Sequence, residues 1–395
     1  MKIVHVIDYF YPQLGYQETF LAKTEVKQGH DVYVLTSNLF GEEIYQANQN
    51  ILKHKKKNVG FLLEREIKTI RLSAIPIPLV NNLFLIGLED VLTYIKPNII
   101  ICHGIASLNS IRLAKLKKHL INVKIIFDDH MTYHNTRGGI YNLIYYLFKK
   151  LAMPSILDSS DQMVAVTYET KDFMKYMYGI PEKKIEIIPL GVDTKLFRRD
   201  PIARMQVRSK YNIQKHDVVF IYVGKVIPIK GVHLFIEAAL KIMKDFQSVK
   251  IMVVGGSFKR HDDLLKKRIN SSTFKNNFTF IPVVPNEELY RYYSAADVGV
   301  WPFQCSITMK EALSCCVPII TSDDESCIPD MVGKGIGLVY NNGDLNDLIK
   351  KMEMLMGSEI RENMSIKARE FAENYDWAYL ADKFLELIGI NPNKY

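Results

Sequence analysis

No apolar run in this sequence reaches the roughly 18 residues that a membrane-spanning helix needs. The longest candidate, 73–88, is broken by Pro76, Pro78, Asn81 and Asn82. The opening, Met1 to Asp8, reads as a strand and carries neither the charged head nor the small-residue cleavage site of a secretory leader. Cysteine is scarce and odd in number: Cys102, Cys305, Cys315, Cys316 and Cys327 form no disulfide framework. Cys315 and Cys316 are adjacent, which suits no ordinary bridge. There is no CxxC pair to hold a structural zinc. Together these absences point to a cytoplasmic protein. GxGxxG and the Walker phosphate loop are missing too, which counts against a dehydrogenase and against an ordinary ATPase or GTPase. No short-period repeat is present.

What is present is ordinary globular material, 48% apolar and 24% charged. At 395 residues the chain is too long for one core and suits two domains of roughly 200 residues. The net charge of +8 is uneven: residues 51–124 hold 13 Lys/Arg against 4 Asp/Glu. Lys53, Lys55, Lys56, Lys57, Lys115, Lys117 and Lys118 supply much of it. Such a surface attracts anionic lipid, nucleic acid or phosphorylated substrates, and it reads equally as a solvated lysine-rich face. No nucleic-acid motif accompanies it, so no nucleic-acid partner is expected.

Strand and helix patterns alternate through the chain. In the first half the strand candidates are 2–7, 32–36, 98–103, 122–128, 162–166 and 185–188, with helices at 17–29, 82–95, 107–119, 141–153 and 168–178. Near-continuous apolar strands between helices mean a parallel sheet covered on both faces. Residues 189–216 break the rhythm and read as a linker with a short helix near 202–210. Alternation then restarts, with strands at 218–223, 249–254, 278–281, 297–301 and 317–321. Helices follow at 232–244, 260–270, 286–294 and 309–315, and the tail 344–390 reads as helical. Two doubly wound units in tandem put ligand sites at the carboxyl ends of strands, facing a central cleft.

Four constellations meet that requirement. Strand 218–223 ends in Gly224-Lys225, and Lys230-Gly231 precedes the next helix. Two lysines at a strand end and a helix start fit a phosphate between them; solvated loop lysines are the plainer reading. The segment from Trp301 to Pro318 places Ser306, Ile307 and Thr308 at a helix start and Glu311 one turn in. Thr308 and Glu311 have capping-box spacing. Alternatively, Glu311 holds a ribose diol while the amides of 306–308 face a diphosphate. Asp128-Asp129-His130 ends a strand, and His130 there can hydrogen-bond a sugar hydroxyl. The paired aspartates lack further ligands, so no metal is expected. Gly15, after the first strand, sits where backbone can approach a ligand closely.

Taken in order, these residues resemble the family-4 retaining glycosyltransferases, which have the GT-B fold. The resemblance runs over nearly the whole chain. It is carried by Pro12 to Gly15, by Gly29-His30-Asp31-Val32, and by Ile188 to Asp193 with Phe197. Val223-Gly224-Lys225 with Lys230-Gly231, Glu311-Ala312-Leu313 with Pro318, and Tyr375-Asp376-Trp377 complete it. It implies an α/β fold of two Rossmann-like domains, 1–195 on the acceptor side and 196–375 binding the donor, with helix 376–390 packing back on the first. It implies transfer of a sugar from a nucleoside-diphosphate sugar to a glycan or lipid-linked acceptor, with retention and without metal or other cofactor. Lys230 and Lys225 then bind the diphosphate, Glu311 the ribose, and the 306–308 amides the phosphate. His130 lies by the transferred sugar, and Gly15 and Gly224 line the site. Peripheral contact with an anionic membrane would follow from a lipid-linked acceptor.

The chain departs from the family pattern at Lys225, usually Arg, and at Tyr16, often Gly. Phe303 stands where a second Glu is common, and Ser314-Cys315-Cys316 replaces Ala-Cys-Gly. Phe303 removes an expected sugar contact. Two rivals stay open: another GT-B enzyme such as an epimerase, and a non-catalytic sugar-nucleotide-binding partner of an active transferase, for which Phe303 would mark lost chemistry.

Overall fold

Strand and helix patterns are realised as two separate parallel sheets in a computed structural model. It describes residues 1–77, 82–120, 122–133, 136, 139–256, 259–303, 306–323 and 333–391. Pro78, Asn81, Cys305 and Cys327, all used in the sequence reading, lie outside these residues. The first compact unit comprises Met1–Glu42, His54–Leu190 and Trp377–Tyr395. The second comprises Glu43–Lys53 and Gly191–Asp376. The sequence put the change of domain at 195–196; the units divide at Leu190.

In the first unit the strands are β1 (Lys2–Val6), β2 (Asp31–Ser37), β3 (Gly60–Glu64), β4 (Ile67–Leu72), β5 (Ala74–Ile77), β6 (Asn82–Leu85), β7 (Ile99–His103), β8 (Lys124–Asp129), β9 (Gln162–Ala165) and β10 (Ile185–Ile187). Eight of them form one sheet in the order β10-β9-β8-β7-β1-β2-β4-β3, and β5 pairs with β6 alone. Every pair in the large sheet is parallel except β3 with β4. One face carries Val4, Val6, Ile100, Cys102, Ile125 and Phe127 in an apolar cluster. The other face is different. Register sets His5 opposite Ile101 and His103 opposite Asp128, so alternation turns His5, His103 and Asp128 to that same second face.

Helix Gln17–Lys27 covers them, and it buries Gln17, Glu18, Thr19 and Glu25 beside Phe20, Leu21 and Ala22. Buried polar groups need internal partners: Gln17 finds Asp128 and Glu25 finds His5 on the strands, while the Thr19 hydroxyl has no hydrogen-bond partner among the described residues. The helix ends in a Schellman turn. Gly29 has φ +88°, its N–H bonds to Val26 O, and the N–H of His30 bonds to Glu25 O. That explains Gly29-His30-Asp31 as the junction into β2. Helix Trp377–Glu386 packs on the same helix, with the Phe20 and Trp377 rings stacked at 6.1 Å and Gln28 donating to Asp382 at 2.8 Å.

The second unit is a six-stranded parallel sheet in the order β13-β12-β11-β14-β15-β16. The strands are β11 (Val218–Val223), β12 (Val249–Val254), β13 (Phe278–Ile281), β14 (Val298–Trp301), β15 (Ile319–Ser322) and β16 (Gly337–Tyr340). All six residues of β11 are buried, as a central parallel strand requires. The points where the chain enters and leaves this unit are tied together: the N–H of Val192 bonds to Tyr375 O, and Asp376 accepts from the backbone N–H and the hydroxyl of Thr194.

Several sequence expectations are corrected. The helix expected over 82–95 begins as β6 and turns helical only at Leu88–Ile95. Arg112 holds that corner, bonding Leu85 O, the Glu89 carboxylate and the face of Phe84. The β3–β4 hairpin was not among the expected strands, because its lysines and arginines hide the alternation. Strand β16 was not among the expected strands, and the helical tail is three helices, Leu345–Met354, Ser358–Glu373 and Trp377–Glu386. Among the described residues no helix is long and apolar enough to cross a membrane.

Candidate functional site

In the second unit the carboxyl ends of β11, β12 and β14 converge. Gly224 has φ +149°, as does Gly255, a region closed to L side chains. A Cβ on Gly255 would lie 1.8 Å from Gly224 O, so the two strand ends touch through backbone alone. Lys225 follows at once. Its side chain keeps exposed surface, yet desolvation by the surrounding protein, reinforced by the like charge of Lys230, holds its ammonium below the ordinary lysine value. The repulsion places the two cations in one electrostatic neighbourhood.

The helix Ile307–Ser314 is anchored to that same strand end. Thr308 donates its hydroxyl to Val223 O at 2.9 Å, and Trp301 Nε1 donates to Val223 O and to Thr308 Oγ1, each at 3.0 Å. Ser306 Oγ sits 2.8 Å from Thr308 Oγ1. The helix begins one residue before the expected Thr308, with Ser306 as N-cap and no side-chain cap. This removes the capping-box reading: Thr308 lies inside the helix and spends its hydroxyl on β11. The Met309 N–H bonds back to Ser306 O, and the N–H groups of Ile307 and Thr308 open the helix, so the turn is a ready anion seat beside Gly224-Lys225.

Glu311 is buried at 1% exposure. Asn286 Nδ2 donates to one carboxylate oxygen at 2.8 Å, and Tyr293 OH to the other at 3.0 Å. Burial pushes its carboxyl up to about 7, against both hydrogen bonds. Each oxygen keeps a second lone pair. Asn286 and Tyr293 escaped the sequence reading. Asn286 follows β13 directly after Pro285 and was findable by the strand-end rule; Tyr293, in a run of tyrosines, carried no signal. Phe303 rests on Gly231, whose Cβ would lie 2.6 Å from its ring, with the His233 ring edge-on at 6.3 Å between centroids.

In the first unit, Gly15 has φ +69° in the turn that leads into helix Gln17–Lys27. Gln17 Nε2 donates to Asp128 Oδ2 at 3.1 Å, which brings this turn to the end of β8. Asp129 Oδ1 accepts the N–H groups of His130 at 2.7 Å and Met131 at 2.8 Å. That clamp sets the backbone of His130. Desolvation by burial pushes the Asp129 carboxyl up to about 6. The His130 side chain keeps solvent contact. The crowding around it still holds its imidazole below the ordinary value; Asp128 opposes the shift and His103 adds to it. Among the described residues no group of three or more His, Cys, Asp and Glu side chains is arranged to hold a metal.

Two family models match the chain. Residues 20–196 match Glycosyltransferase Family 4, and residues 204–371 match Glycosyl transferases group 1. The chain belongs to the family-4 glycosyltransferases of GT-B fold. Among its relatives is the D-inositol 3-phosphate glycosyltransferase of Nocardia farcinica, 24% identical over 247 residues, covering 60% of this chain and 54% of that one. Another is the GDP-mannose-dependent alpha-(1-6)-phosphatidylinositol monomannoside mannosyltransferase of Mycolicibacterium smegmatis, 23% identical over 252 residues, covering 61% of this chain and 65% of that one. The match thus spans about half to two thirds of these relatives' lengths. In fold, the chain is similar to the Anabaena protein HepE solved in complex with UDP-glucose, with TM-score 0.70, 14% identity, and 98% of each chain covered. Within this family frame, Gly224, Lys225, Ser306, Ile307 and Thr308 are brought together at one strand end, with Lys230 in the same field. Glu311 lies one turn into the same helix.

Proposed function

We propose that the chain transfers a sugar from a nucleoside-diphosphate sugar to a glycan or lipid-linked acceptor, with retention of anomeric configuration and without a metal. The observation that carries this reading is the helix start at 306–308 hydrogen-bonded to β11 beside Lys225. Two lysines and a helix amino end supply the positive field that a leaving diphosphate needs. Lys225 and Lys230 take the charge that develops on the leaving phosphate, and the first-turn amides share it. Glu311 binds the donor ribose through the lone pairs that Asn286 and Tyr293 leave open. The acceptor hydroxyl attacks the face from which the phosphate departs, and that phosphate takes the acceptor's proton. His130 orients the transferred sugar as a neutral imidazole, and Gly15 leaves room for the ligand.

The relatives support a nucleotide-sugar donor, since one is GDP-mannose-dependent and one fold neighbour was solved with UDP-glucose. A lipid-linked acceptor has separate support. Helix Ile140–Leu151 packs Tyr145 and Phe148 on the core but leaves Leu143, Tyr146, Leu147 and Leu151 exposed at 55, 56, 45 and 78%. That spacing is an apolar stripe, with Lys149 and Lys150 at its end. Peripheral contact with an anionic membrane fits this helix.

The test is thermal unfolding against UDP, GDP, ADP, TDP and CMP, with and without their sugars, followed by product anomer analysis by NMR. Selective binding raises the midpoint by mass action. A rise with one nucleoside diphosphate and a product of retained configuration supports the reading. Donor binding without turnover on any acceptor favours the non-catalytic partner, and release of nucleotide with an altered ring centre favours an epimerase.

A further inference from the structure

Four buried side chains in the first unit form a continuous hydrogen-bonded line that the proposed transfer does not use. Glu25 Oε2 lies 2.6 Å from His5 Nε2, both side chains at zero exposure. His5 Nδ1 lies 2.9 Å from His103 Nε2. His103 Nδ1 lies 2.9 Å from Asp128 Oδ2. The two imidazole planes differ by 5°, with centroids 5.2 Å apart. The nitrogen separation plus the two ring radii accounts for that distance, so the rings meet edge to edge in one plane rather than face to face.

The line fixes its own proton count. Each of its three bonds needs one proton between the partners. Two neutral imidazoles bring only two, because each carries a single N–H. One extra proton must sit on an imidazole or on a terminal carboxyl. Imidazole holds a proton about two pH units more firmly than a carboxylate in water, and here the ring pair lies between two carboxylates. Glu25 Oε1 has no partner among the described residues, so His5 is what balances the buried Glu25 charge.

We propose that Glu25, His5, His103 and Asp128 share one proton beyond two neutral imidazoles, and that His5 and His103 are positioning residues for the site at Gln17 and His130. The shared proton pairs Asp128 on its His103 side, while Gln17 engages it from the first turn at 3.1 Å. The turn carrying Gly15 and the loop carrying His130 are thereby held to one charged anchor. The cation beside Asp128 also offsets that carboxylate's pull on His130, which keeps the His130 ring neutral. Only this last step rests on the proposed transfer.

The groups around the line agree with this balance. Burial pulls His103 down, but the Asp128 charge and hydrogen bond outweigh it and hold the ring above the ordinary value. Burial pushes Asp128 up, and His103 more than reverses it. Glu18, on the covering helix, is pushed by burial up to about 7, with His103 opposing. His130 faces the line from the end of β8 and His30 from beyond Glu25, while Cys102, on the opposite face of the sheet, feels the charges of Asp128, Asp8 and Asp129.

The experiment is a pH titration of the full chain with ring-¹⁵N histidine, in the wild type and in Glu25→Gln. At pH about 7 the His5 and His103 rings are expected to carry one imidazolium between them, with slowly exchanging ring N–H signals at low field. Glu25→Gln removes one flanking anion, so the pair should lose its extra proton at a pH at least one unit lower, and the His130 midpoint should rise. If the variant does not fold, the wild-type spectrum decides alone. Two neutral rings at pH 7 would overturn the proposal, as would a folded variant with unmoved His103 and His130 curves. In the transferase assay kcat should fall roughly tenfold in the variant with little change in donor KM. A loss of activity without the ring shifts would make the role merely structural. The ring titration stands whether or not the chain transfers sugar.

Discussion

Asn286 donates its side-chain amide to Glu311 across 2.8 Å, and with Tyr293 it holds a carboxyl that burial has raised from 4.5 to about 7. The folded state therefore keeps a proton that the unfolded chain releases. The resulting stability is present below pH 4.5 and is lost as pH rises through about 7. Glu311→Gln removes this dependence. Above pH 7 the variant should gain about 3 kcal/mol relative to its standing at low pH. Urea unfolding of both proteins at about pH 5 and about pH 8 measures it. The same variant should bind a nucleoside diphosphate at least tenfold more weakly, because a Gln amide gives the ribose one acceptor oxygen where the carboxylate gave two. Equal affinity would remove Glu311 from the donor site.

Lys230→Ala should lower turnover by several orders of magnitude, since a cation next to a leaving phosphate acts mainly in the transition state. It should also raise the Lys225 pKa by removing the like charge that helps depress it. Kinetics and the pH dependence of Lys225 labelling check the two effects separately. Near-normal turnover in this variant would sink the diphosphate assignment. With two lysines supplying the charge, turnover is expected to survive excess EDTA; loss that Mg²⁺ or Mn²⁺ restores would contradict the metal-free proposal.

Gly255→Ala tests the contact between the ends of β11 and β12. Its Cβ would fall 1.8 Å from Gly224 O, and that oxygen is backbone, so the strand ends must part. A cost of roughly 1–3 kcal/mol is expected from overpacking alone, with positive-φ strain added. Thermal unfolding reads the stability. Because Gly224 precedes Lys225, donor affinity should fall as well. Gly343→Ala, at positive φ but with nothing within 4 Å of its Cβ, should cost only the strain and leave donor affinity unchanged.

The fold was legible where hydrophobic pattern and function agree. Buried parallel strands such as Val218–Val223 announce themselves by unbroken apolar runs, and Gly224, Lys225 and Glu311 stand at strand and helix ends where an α/β site collects. The β3–β4 hairpin was not legible, because Lys57, Arg65, Lys68 and Arg71 read as a basic surface. Yet Arg71 is fully buried, bonding Glu64, Ser37 O and Phe10 O. Thr308 with Glu311 matched a capping box, but its hydroxyl serves β11 instead; a local motif lost to a tertiary hydrogen bond. His5 and His103 were read only as strand residues. Nothing local distinguishes them, since their meaning comes from the register that sets β1, β7 and β8 side by side.

The exposed stripe on helix Ile140–Leu151 yields the last prediction. Leu143, Tyr146, Leu147 and Leu151 leave water only if something apolar covers them, and Lys150 lies over the Tyr146 ring at 6.0 Å. An amphipathic helix of this kind gains from apolar burial and from attraction to anionic headgroups together. The chain should therefore co-sediment with vesicles rich in anionic lipid at low salt and be released as salt rises, because screening weakens the lysine contribution first. Neutral vesicles should bind it far less. Replacing Leu147 and Leu151 by Asp should abolish sedimentation while leaving donor binding intact, since both residues belong to the first unit and the proposed phosphate seat to the second. Full binding of that variant would assign the attraction to the basic stretch 51–124 instead. No binding of the wild type to anionic vesicles would leave a soluble glycan as the acceptor to pursue.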